Sequence, residues 1–127
     1  MYSIEVRTGF RAGHQILLAD GSREELHEHE WEVICRVSSD KLNKMGLVMD
    51  FHRLRMMIGE ITDMWDGGKL EEDAYFGEWG SSAECVAKRV YDLLEGRLAE
   101  GVWLESVGVV EQAGCVAIYI NGKSGRD

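Results

Sequence analysis

The sequence predicts an α+β domain of order ββααββ, one four-stranded antiparallel sheet with both helices on one face. Three observations carry this prediction. Hydrophobicity alternates with period 2 toward both ends of the chain, it recurs at helical spacing in the middle, and turn or cap signals separate the two regimes. The 127 residues make one domain, and 45% hydrophobic against 29% charged is the balance of a folded chain. Residues 1–121 form that domain, and 122–127 read as a frayed tail.

In the first strand Tyr2, Ile4, Val6, Thr8, Phe10, Ala12 and His14 share one parity, and Ser3, Glu5, Arg7 and Arg11 the other. The segment from Gln15 to Leu26 holds an Asp20-Gly21 turn signal and ends in charge, so it reads as a loop. Alternation returns from His27 to Val37: His27, His29, Trp31, Val33, Cys35 and Val37 lie on one face, Glu28, Glu30, Glu32 and Arg36 on the other. The two strands are expected to pair antiparallel.

After the polar loop from Ser38 to Gly46, Asp50 suits the cap of a helix in which Phe51, Leu54, Ile58, Ile61 and Trp65 recur, with Gly67-Gly68 as its end. Segment 69–80 is acidic, aromatic and irregular. Ser81-Ser82-Ala83-Glu84 is a capping-box signature, opening a helix with Ala83, Val86, Val90, Leu93 and Leu94 inward. Strands about Trp103–Glu111 and Gly114–Asn121, joined at Gln112-Ala113, close the domain. Such a sheet has two open edges, and pairing them between subunits closes a barrel, so an oligomer is expected.

Fourteen Lys+Arg against 23 Asp+Glu, a net charge of -9, argue against nucleic acid and against anionic membrane surfaces as partners. No apolar run approaches the ~18 residues of a span, and the opening lacks a basic-then-apolar leader, so the expected location is the cytoplasm. Cys35, Cys85 and Cys115 show no C-x-x-C spacing and are expected to be reduced core thiols.

The chemistry lies in the histidines. His27 and His29 are two apart on a strand, so both rings leave one face, and His14 ends the inward parity of the neighbouring strand. Three imidazoles at one end of a strand pair, with a fourth position open, form a catalytic zinc arrangement. Strand histidines are also ordinary half-buried residues, and H-x-H alone is a weak motif. Glu28 points the other way and reads as a solvated carboxylate; His52 reads as a surface histidine. Glu111 shares the parity of Val107 and Val109, and an inward carboxylate needs donors.

Phe10-Arg11-Ala12-Gly13-His14, Leu26-His27-Glu28-His29, Gly46-Leu47-Val48-Met49-Asp50-Phe51 and the late strand Glu111 together resemble the 6-pyruvoyl-tetrahydropterin synthase family, whose bacterial relatives include 6-carboxy-tetrahydropterin synthase. The resemblance implies the tunnelling fold: ββααββ subunits assembled as trimers or hexamers around a barrel, with active sites between subunits. It implies zinc on His14, His27 and His29, a pterin gripped by Glu111, and lyase chemistry on 7,8-dihydroneopterin triphosphate.

Departures from the family pattern are several. H-G-H is His27-Glu28-His29, which strains Glu28 if the glycine needs positive φ. The catalytic Cys position is Arg23. L-D-H-x-x-L-N becomes Trp65-Asp66-Gly67-Gly68-Lys69-Leu70-Glu71, which keeps the acid as Asp66 but loses the histidine at Gly67. P-T-x-E-N becomes Ser81-Ser82-Ala83-Glu84-Cys85. Arg23-Glu24-Glu25-Leu26-His27 resembles a variant subfamily in which a glutamate, here Glu24, replaces the cysteine and the product is 6-hydroxymethyl-dihydropterin. Glu24 and Asp66 are therefore the expected catalytic residues, with Glu24 and Glu25 as an acidic loop the plain reading of that segment. Arg11, Arg23 and Lys69 are candidates for holding the triphosphate. The expected function is a zinc-dependent pterin lyase; a catalytically inactive pterin-binding homologue and a structural metal protein are the alternatives.

Overall fold

A computed structural model describes residues 1–122. The predicted tail therefore lies outside the described residues from 123 onward. Strands β1 (Tyr2–His14) and β2 (His27–Ser39) pair along their whole length, with Tyr2 opposite Ser39 and His14 opposite His27. Beyond β2 come β3 (Val102–Gln112) and β4 (Cys115–Ile120), so the sheet runs β1-β2-β3-β4 with every neighbour antiparallel. Helices α1 (Phe51–Thr62) and α3 (Ala83–Leu94) pack on it, α1 against β1 and α3 against β3 and β4.

The predicted parity decides which side is covered. Val6, Phe10, Ala12, Trp31, Val33, Cys35 and Val37 are buried with Leu54, Ile58, Ile61, Val86, Val90 and Leu94 of the helices. The other side of the hairpin carries Glu5, Arg7, Arg11, Glu28 and Glu30, all exposed. Removing the apolar face from water is the main driving force for this arrangement, at roughly 25 cal/mol per Å².

Asp50 caps α1 as expected, its carboxylate accepting from the His52 N–H at 2.8 Å. The expected inward Phe51 is 55% exposed, because the first residue after the cap falls off the core stripe. The helix ends at Thr62, short of the predicted Gly67-Gly68. Its chain tightens there, with the N–H of Trp65 bonding the carbonyl of Thr62 at 2.9 Å. Trp65 remains buried from that turn, and Gly67 takes φ +79°.

The segment read as irregular holds a 3₁₀ turn (Leu70–Glu72) and a short helix, α2 (Ala74–Trp79), capped by Asp73 and pinned by buried Leu70 and Phe76. Six residues are too few for a helical period to show. The cap of α3 is Ser82, whose Oγ accepts from the N–H of Cys85 at 3.2 Å, one residue later than the Ser81–Glu84 frame predicts. The β3–β4 turn likewise falls one residue later, at Ala113-Gly114, where Gly114 supplies φ +84°.

Two register shifts bend β3, one opposite Arg36 and Val37 and one at Glu111 between Val110 and Gln112. A bulge of this kind re-aims the extra side chain. The edge of β1 is only partly open. The Arg11 N–H donates to Asp66 Oδ1 at 2.9 Å, the Gly67 N–H to the carbonyl of Arg11 at 2.7 Å, and the Gly13 N–H to that of Gly68 at 2.9 Å. The chain after α1 thus zips onto β1 just before His14. Among the described residues no helix is long and apolar enough to cross a membrane.

The expectation of three core thiols holds for Cys35 alone; Cys85 is half-buried and Cys115 exposed, and all are free. Burial pushes the Cys35 thiol up to about 12. A raised pKa keeps the group protonated, and only the thiolate is nucleophilic. Iodoacetamide at pH 8 is expected to label Cys115 first and Cys35 only after unfolding, read by peptide mass mapping. Equal labelling rates would contradict this.

Candidate metal centre

His14 is the last residue of β1 and is 1% exposed. Its Nδ1 lies 2.8 Å from the carbonyl oxygen of Ser81. A carbonyl only accepts, so a neutral His14 ring donates from Nδ1 and keeps its lone pair on Nε2. That Nε2 lies 3.6 Å from Glu111 Oε1. The ring of His29, opposite Ala12 on β2, meets the edge of His14 at a centroid distance of 5.0 Å. Trp31 forms the floor under both rings, at 4.9 and 5.9 Å, and its indole N–H is tied to the carbonyl of Ala12 at 3.0 Å.

One donor atom from each of His14, His29 and Glu111 lies within 4.8 Å of the other two. Two imidazoles and a carboxylate are a donor set that zinc accepts, and the free Nε2 of His14 faces the carboxylate, so these residues fit a metal. His27 stands at the rim. It is exposed, it pairs in register with His14, and its ring centroid is 6.2 Å from that of His29. Of the four residues singled out by parity, three therefore gather in one cluster and His27 lies beside it. A cleft next to Glu111 is lined by Ile16, Ser82, Glu84, Cys115 and Ala117.

The loop from Gln15 to Leu26 folds back on the end of β1. Leu17 bridges Arg23, the Glu24 N–H donates to the carbonyl of Ile16 at 2.9 Å, and the Gln15 side-chain amide donates to the carbonyl of Glu24 at 3.2 Å. Glu24 is half-buried and anchored to the residue after His14. Asp66 is exposed and has one oxygen engaged by the Arg11 amide.

Arg11 itself is held by Glu28, Nε to Oε1 at 2.6 Å, and by Glu30 at 3.7 Å. The hydrogen bond to Glu28 raises the Arg11 pKa. Arg23 reaches the carbonyl of Gln15 at 3.4 Å. Glu28 carries no positive φ, so the condition for strain is not met: the H-x-H backbone here is ordinary strand and needs no glycine.

Sequence reasoning missed Glu71, Gln15 and Ser81, which stand behind His14. The Glu71 carboxylate accepts from the Gln15 N–H at 3.2 Å and from the Ser81 hydroxyl. Nothing in the local pattern marked Glu71, since only the tertiary fold brings it to the strand end.

From residue 3 to residue 121 the chain matches the model of the 6-pyruvoyl tetrahydropterin synthase family. The chain belongs to this family. At the family level that is a pterin-processing lyase. The family fold agrees with solved structures. The 6-pyruvoyl tetrahydropterin synthase of Caenorhabditis elegans superposes with a TM-score of 0.83 at 18% identity, covering 95% of this chain and 96% of that one. An uncharacterized protein of Wolinella succinogenes gives 0.74 at 19% identity, covering 94% and 98%. A catalytic-residue mutant of the Plasmodium vivax 6-pyruvoyltetrahydropterin synthase, with a glutamate replaced by alanine, gives 0.69 at 15% identity, covering 95% and 99%. At these identities the likeness is one of fold. No curated protein matches the chain.

Proposed function

We propose that this member of the 6-pyruvoyl tetrahydropterin synthase family is a zinc-dependent lyase acting on 7,8-dihydroneopterin triphosphate, of the glutamate type that yields 6-hydroxymethyl-dihydropterin. The observation that carries the reading is the cluster of His14, His29 and Glu111 at one end of the sheet of a pterin-synthase chain. His14, His27 and His29 hold the metal. Bound zinc supplies Lewis-acid polarisation of the substrate's side-chain oxygens.

The remaining chemistry belongs to the chain. Glu111 grips the pterin, its two oxygens suiting the adjacent 2-amino and ring N–H donors. Glu24 takes a proton from the hydroxyl or carbon next to the bond that breaks. A carboxylate base has support in the Plasmodium vivax enzyme, where a glutamate is a catalytic residue. Asp66 keeps the segment after α1 on β1 and has one oxygen left for the substrate side. The enzyme works in the cytoplasm as a homo-oligomer, trimer or hexamer. Support for assembly comes from the exposed Val116, Ile118 and Ile120 on β4, an edge strand.

Glu111→Gln exchanges an acceptor for a donor. Its expected effect is a loss of about 1.5–3 kcal/mol, roughly ten- to a hundredfold in dihydropterin affinity. Calorimetric titration checks this, and unchanged affinity removes Glu111 from the pterin site.

Two observations favour a second reading, a pterin-binding homologue without turnover. Gly67 and Arg23 stand where the family pattern has its histidine and cysteine, and Arg11 is already neutralised by Glu28 and Glu30. Incubation with 7,8-dihydroneopterin triphosphate, followed by mass analysis of products, separates the two. Formation of 6-hydroxymethyl-dihydropterin supports the lyase; binding with the substrate returned intact supports the second reading.

A further inference from the structure

Behind His14 lies a hydrogen-bonded strut outside the cluster of His14, His29 and Glu111. Ser81 is 1% exposed and works in two directions: its carbonyl accepts from His14 Nδ1 at 2.8 Å, and its hydroxyl donates to Glu71. The second bond to Glu71 Oε2 comes from the Gln15 N–H at 3.2 Å, and Gln15 in turn holds the carbonyl of Glu24. Glu71 Oε1 is buried without a hydrogen-bond partner among the described residues. A carboxylate half-satisfied in this way carries a desolvation penalty, so its other oxygen must be worth keeping. Both residues depart from the family pattern together: Glu71 stands for the Asn of L-D-H-x-x-L-N, and Ser81 for the Pro of P-T-x-E-N.

We propose that Glu71 is a positioning residue that acts through Ser81 and Gln15, locking His14 in the Nδ1–H form and tying the Glu24 loop to the same strand end. The Ser81 carbonyl has to face His14 for the Nε2 lone pair to face Glu111. Ser81 and His14 are both sealed from solvent, and besides Glu71 the Ser81 hydroxyl has only the Gln15 carbonyl, at a longer 3.4 Å, as an acceptor among the described residues. Outer partners of this kind set the orientation and basicity of a metal-binding histidine. The effect on zinc rests on the proposed role of His14 as a ligand; the tautomer does not.

The experiment is nitrogen NMR of histidine-labelled, metal-free protein, with zinc affinity measured by chelator competition. In Glu71→Ala the His14 signals are expected to average between the two tautomers while those of His29 hold. Zinc affinity should fall by about 10–100-fold. Glu71→Gln, which keeps an acceptor oxygen for Gln15 and Ser81, should retain most of both. An unchanged His14 tautomer in folded Glu71→Ala overturns the proposal. If Glu71→Ala fails to fold, Ser81→Ala decides: averaging of His14 supports the strut, and a fixed tautomer overturns it. Averaged tautomers with unchanged zinc affinity leave the strut standing and remove His14 from the metal site.

Discussion

Replacing Glu24 with Gln is expected to lower turnover by about 10²–10⁴-fold, the usual contribution of a general base, while zinc content and pterin affinity stay at the unmodified level. The substitution keeps shape and removes only the proton-accepting function. The backbone of Glu24 is tied on both sides, by its N–H to Ile16 and by its carbonyl to the Gln15 side chain, so the loop holds its course without the carboxylate. The cysteine and histidine positions of the family pattern are Arg23 and Gly67 here, neither of which accepts a proton at neutral pH. Steady-state kinetics on zinc-loaded protein reads the result. Full activity in the variant rejects Glu24 as the base and moves the role to Asp66 or Glu25.

His14→Ala is expected to empty the metal centre. About one zinc per subunit is expected in unmodified protein purified without added metal or chelator. Removing a ligand should weaken binding by more than the about 10–100-fold that loss of an outer partner brings. Turnover should fall to background with it. The effect reaches beyond the metal, because His14 is fully enclosed and its loss strips the Ser81 carbonyl of its donor. His29→Ala removes the second nitrogen of the cluster with less disturbance, since that ring is only half-buried. Elemental analysis of His27→Ala beside Glu111→Gln then assigns the third position. Zinc lost with His27 supports the three-histidine set; zinc lost with Glu111 and kept without His27 supports the tighter cluster of His14, His29 and Glu111. Unchanged zinc after His14→Ala removes the centre from this end of the sheet.

Much of this was legible along the chain because strands keep strict parity. Alternation from Tyr2 to His14 and from His27 to Val37 named the covered face, with Tyr2 and His27 at the strand ends left exposed. Together with the parity of Glu111 with Val107 and Val109, it put His14, His29 and Glu111 on the side where they meet. Helical recurrence found α1 and α3, although it overran the end of α1 and turned Phe51 inward. It passed over α2, where Asp73, Leu70 and Phe76 settle a helix of fewer than two turns by burial rather than by period.

What the sequence determined by itself was the order of elements, the covered face of the sheet, and the histidines and glutamate that share it, all consequences of short-range periodicity. Only the tertiary structure decided how far each reaches into the site. The bulge at Glu111 aims its carboxylate at His14, the zipper of Asp66 to Gly68 onto β1 ties Asp66 to the Arg11 amide, and the exposed position of His27 leaves it at the rim. Glu71 and Ser81 come behind His14 through contacts 56 and 67 residues apart along the chain. Periodicity reports which face a side chain leaves, but such partners are chosen by the packing of the whole chain, because a buried donor takes whichever acceptor the closed fold brings within reach.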